Sequence, residues 1–66
     1  MAQIRYIEIG LLMRKYMRHI LNVNDISFKE EKHFFTSTFY FSADNKLYSA
    51  IVNQMYEVGK KLRESN

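Results

Sequence analysis

The chain is expected to fold as a small α+β domain with the order helix, strand, strand, helix. Three observations carry that expectation. Segments near both ends repeat apolar side chains at spacings of three and four. The stretch between them alternates with strand period, and the joints are short, with no proline and only two glycines, Gly10 and Gly59. Sixty-six residues make one domain, taken as residues 1–66.

Residues 2–23 place Ile9, Leu12, Met13, Tyr16, Ile20 and Val23 on one helical stripe. The opening QIRYIEI is rich in β-branched and aromatic residues, so a short strand followed by a helix from about Leu11 is the alternative. One continuous helix is the preferred reading, because Ile4 and Leu11 extend the same face and Gly10 costs only about 1 kcal/mol inside a helix. Asn22 to Asp25, NVND, supply the stop, since Asn and Asp side chains bond to nearby backbone in turns.

The next stretch, ISFKEEKHFFTSTFYFS, is expected to be a β-hairpin. With its tip at Glu31-Lys32, Glu30 opposes His33, Phe28 opposes Phe35 and Ile26 opposes Ser37. Directly opposed residues share a face, so this register puts Ile26, Phe28, Phe35, Phe39 and Phe41 on one side. A slip of one residue would split that set, which selects an even-length loop.

Residues 42–64 are expected to form the second helix, with Ser42 as N-cap and Asp44 in the first turn. Leu47, Ile51, Met55, Val58 and Leu62 make its stripe. Each helix adjoins the open end of the hairpin, so the two should run antiparallel over one sheet face, bringing Gly10 towards Gly59. The two glycines then read as a kink and a C-terminal cap, or as a close helix crossing.

That arrangement leaves the second strand with an unpaired, uncharged, aromatic edge, an aggregation hazard unless covered. A second copy would cover it, giving a four-stranded sheet in a homodimer, with Phe34, Thr36, Thr38 and Tyr40 as dimer or strand-edge residues. A monomer whose edge is protected by the short strand and by flanking Lys29, Lys32 and Lys46 is one alternative, and addition of a partner's strand to the edge is another.

Chemistry is sparse. There is no Cys, so no disulfide and no thiolate metal site. Two isolated glycines exclude a Gly-rich phosphate loop. No Ser lies in an elbow motif. His33 beside Glu30 and Glu31 is the one His and carboxylate cluster, and it reads as a solvated turn. No catalytic residue, cofactor or metal is expected, and the chain is read as not an enzyme. Without an apolar run of 18 residues or a signal pattern, a cytoplasmic protein with no membrane partner is expected.

Net charge is +3. The directional feature is a cationic ridge, Arg14, Lys15, Arg18 and His19, at helical spacing. It suits an acidic protein surface, and those four residues are the candidate partner-binding set. The expected function is a small non-enzymatic protein-binding module, an inhibitor or modulator of the kind carried by phages and mobile elements. The alternative is a small dimeric nucleic-acid-binding regulator using the same basic face, although the ridge lacks the Asn and Gln side chains that read bases.

Overall fold

The segment QIRYIEIG is a strand, β1 (Gln3–Gly10), where a helix was expected. It is followed by a single 3₁₀ turn, Leu11–Met13, and then by α1 (Arg14–Val23). The remaining elements are β2 (Phe28–Lys32), β3 (Thr36–Ala43) and α2 (Asn45–Glu64), in a computed structural model that describes residues 1–65. In β1 exposure alternates: Arg5, Ile7 and Ile9 are half-buried while Ile4, Tyr6 and Glu8 face outward. Its β-branched and aromatic side chains fit a pleated surface. The eight-residue strand β3 offers it a full-length partner, and that long-range pairing outweighs the helical spacing.

The sheet is antiparallel with strand order β1-β3-β2. Pairing runs from Gln3 opposite Ala43 to Gly10 opposite Thr36 on one side of β3, and from Phe28 opposite Phe41 to Lys32 opposite Ser37 on the other. β1 and β2 are thus parallel to each other, joined through α1, with β3 inserted between them: a split β-α-β unit followed by a second helix. The α+β class, the hairpin and the two helices agree with the sequence reading. The third strand is the addition.

The hairpin turns at Phe34-Phe35, not at Glu31-Lys32, and His33 N donates to Thr36 O at 2.8 Å. The parity of the register is the expected one, so Phe28, Phe39 and Phe41 share the inner face. Phe35, expected in the core, is 77% exposed at the tip. The shifted register sets Phe28 beside the Phe39 ring, with centroids 5.6 Å apart, and brings Glu30 within reach of α1.

The helices cover the inner face. Met17, Ile20 and Leu21 of α1 and Ile51 and Met55 of α2 bury against Phe39, Phe41 and Ala43. Of the expected stripe Ile20 is buried and Met13 packs on the core, but Leu12 and Val23 are exposed, and Met17 and Leu21 are buried instead. The helices are antiparallel as expected, with Met13 against Gly59 and Asn24 against Gln54. The glycines do not meet. Gly10 ends β1 in open space, and Gly59 lies inside α2, where an added Cβ would sit 3.9 Å from Met13 Cε.

The joints are well specified. The NVND stop is a Schellman ending: Ile26 N donates to Leu21 O at 2.9 Å and Asp25 N to Asn22 O at 3.0 Å. Asp25 occupies the left-handed position with φ 57°. The N-cap of α2 is Asp44, whose Oδ1 accepts from Leu47 N at 2.8 Å. Ser42, expected in that role, belongs to β3.

Candidate interaction surfaces

The cationic ridge divides into two pairs. Arg14 and Arg18 turn toward the sheet. Arg18 Nε donates to Glu30 Oε1 at 2.6 Å and its Nη2 to Oε2 at 2.9 Å. Ser37 Oγ donates to Glu30 Oε2 at 2.8 Å, and Arg14 Nη1 reaches Ser37 Oγ at 3.4 Å. The Glu30 side chain is 11% exposed, and the Arg18 guanidinium, with help from Ser37, holds its carboxyl down at about 2 despite the opposing effect of burial. The same hydrogen bonds raise the Arg18 pKa. Lys15 and His19 point to solvent, Lys15 with its ammonium 5.3 Å from the Tyr16 ring. Of the four partner-binding candidates, Arg18 is thus half consumed by an internal ion pair, which helical spacing alone could not reveal.

Beside this ridge, Leu11, Leu12, Tyr16 and Leu62 form the apolar part of an open groove of about 610 Å³, with Arg14 and Lys15 on its rim. The groove arises because the 3₁₀ turn and the last turn of α2 reach the same end of the molecule.

The edge candidates separate as well. β3 is paired along both sides, so it has no free edge. Thr38 is only 8% exposed in the middle of the sheet, Thr36 and Tyr40 are half-buried, and Phe34 stands at the hairpin tip. The edge that needed covering is covered by β1 of the same chain. The free edges are β1 and β2. β2 is short and carries Lys29 and Lys32, which discourage strand addition. β1 has eight residues, no lysine and no proline. It is tied to the domain by Arg5, whose guanidinium sits 4.7 Å from the centre of the Tyr48 ring and donates to Asn45 Oδ1.

The outer sheet face is open. Tyr6 and Tyr40 lie side by side there, 6.3 Å between centroids. Burial, and then the Glu31 carboxylate 3.4 Å away, push the Tyr40 hydroxyl above its ordinary pKa. The cluster of Glu30, Glu31 and His33 does not converge: Glu31 meets His33 at 3.4 Å on the outer side, while Glu30 points inward to Arg18.

Comparison with known protein families, curated proteins and solved structures finds no match.

Proposed function

We propose that the chain is a non-enzymatic protein-binding module of the cytoplasm, acting as an inhibitor or modulator by adding a strand of a partner to the free edge of β1. The observation that supports this reading is the contrast between the two sheet edges. β2 carries two lysines on its five residues, the residue type that most protects an edge; β1 has none, with Ile4 and Tyr6 exposed and Glu8 its one exposed charge. Main-chain hydrogen bonds along β1 would supply affinity, and its alternating side chains specificity. In the absence of a partner the same edge pairs with a second copy about a two-fold axis, joining two three-stranded sheets into one of six.

A nucleic-acid reading is weaker. It rests on the basic face of α1, where the charge of Arg18 is matched by Glu30 and Arg14 turns to Ser37.

The test places lysines on the edge. Ile4→Lys with Tyr6→Lys alters only exposed side chains and imitates natural edge protection. A nuclease-resistant, stoichiometric protein captured by the wild type and lost by the double variant supports the proposal. Capture unaffected by the double variant, or capture that disappears with nuclease, sinks it.

A further inference from the structure

The end of the molecule opposite the start of β1 has a composition unlike the rest. Gly10 pairs with Thr36, so the 3₁₀ turn and the hairpin tip leave the sheet side by side. The end of α2 joins them, because Leu62 and Ser65 share the groove with Leu11 and Leu12. Three side chains protrude from this pole: Phe34 at 92%, Leu12 at 85% and Phe35 at 77% exposure. The Phe34 and Phe35 rings lie 6.1 Å apart.

Charge is sorted in the same way. Residues 10–16, 32–36 and 59–65 hold six of the ten Lys and Arg and one of the seven Asp and Glu. Outside those segments carboxylates outnumber cations, six to four. The molecule is therefore polarised: an apolar tip, a cationic collar including the exposed Lys15, Lys32 and Arg63, and a body of slight negative charge.

From this sorting we propose that the pole seats the protein peripherally on an anionic lipid surface. The two phenylalanines and Leu12 enter the interfacial layer and the collar meets the headgroups. No helix among the described residues is long and apolar enough to cross a membrane, so the contact is with the surface. Apolar insertion combined with cationic attraction is what such binding requires, and anionic lipids face the cytoplasm. A lipid surface fits better than a protein because the protruding groups stand on two separate tips, and the groove beside Leu12 is open and does not enclose Phe34 or Phe35. The proposal goes beyond strand addition and leaves β1 free for it.

The chain has no Trp, so Phe34→Trp reports on the tip alone. Titration with vesicles of phosphatidylcholine containing about 30% phosphatidylserine should shift its emission to the blue, saturably and less so at high salt. Pure phosphatidylcholine should bind it roughly tenfold or more weakly, because the collar adds to the affinity only at an anionic surface. Phe35→Ser and Leu12→Ser, each added to the reporter, should lower partitioning about tenfold without lowering the melting temperature. An unshifted emission throughout the titration overturns the proposal. So does vesicle binding that both serine variants retain. A shift caused by an acidic amphipathic peptide and by no vesicle also overturns it, and assigns the pole to a protein. Because Ile4 and Tyr6 lie off the pole, loss of partner capture in their lysine variant leaves vesicle binding intact, so the two proposals fail separately.

Discussion

Arg18 of α1 holds Glu30 of β2 through two parallel hydrogen bonds, at 2.6 and 2.9 Å. The pair bridges the helix layer to one edge strand of the sheet, and Ser37 of the central strand completes it with a third hydrogen bond. Such a fork-on-carboxylate contact fixes geometry as well as charge. It pins β2, the shortest strand, where few apolar contacts would.

Acid should weaken this pin in a defined range. The Glu30 carboxyl is held at about 2 in the folded chain, below its ordinary 4.5. A depressed carboxyl contributes stability above its unfolded pKa and loses it as pH falls through the folded one. The contribution is therefore complete above about 4.5 and gone below about 2. Thermal melts across that range should show a fall in the wild type that is reduced in Glu30→Gln. An identical slope in both proteins would show that the pair contributes nothing to acid sensitivity.

Phe39 and Phe35 are four residues apart in an alternating run, yet one is fully buried and the other exposed. Phe39→Ala should cost about 3–5 kcal/mol, enough to unfold a domain this small. Phe35→Ala should change stability by no more than about 0.5 kcal/mol. Thr38→Ala, on the outer face, should fall between them. Chemical denaturation of the three variants checks the hairpin register, which a larger loss at Phe35 would contradict.

Asp25 is the one non-glycine residue with positive φ among the described residues. A left-handed residue with a side chain costs about 1–2 kcal/mol that glycine avoids. Asp25→Gly should raise stability by about 1 kcal/mol, because the Schellman hydrogen bonds use only backbone. A lowered melting temperature would mean that the Asp25 side chain makes a compensating contact.

Gly59 lies within α2, and the Cβ of alanine there would be in ordinary contact with the end of a flexible Met13 side chain. Gly59→Ala should stabilise by about 1 kcal/mol through helix propensity. A destabilised variant would mean that the two helices cannot yield even at the methionine tip.

The resting dimer is tested by sedimentation. The wild type should associate with rising concentration, and the Ile4→Lys, Tyr6→Lys variant should remain at 8.0 kDa. A wild type that also stays at that mass would remove the self-pairing of β1 from the proposal.

The sequence by itself determined the α+β class, the antiparallel helix pair, the stop at Asn22–Asp25, the apolar stripe of α2 and the even parity of the hairpin. These follow from local periodicity and turn chemistry, which a short window contains. Only the tertiary structure decided three matters. QIRYIEIG satisfies helical and strand periods together, and the full-length edge of β3 chose the strand. Phe28 fits opposite either Phe35 or Phe41 with the same parity, and packing against α1 chose Phe41. The charges of Arg14, Lys15, Arg18 and His19 look alike on a helical wheel, and the position of Glu30 on β2, brought near by that register, separated the cations that hold the fold from those that face solvent. In each case local signals were degenerate, and contacts between residues far apart in the chain removed the degeneracy.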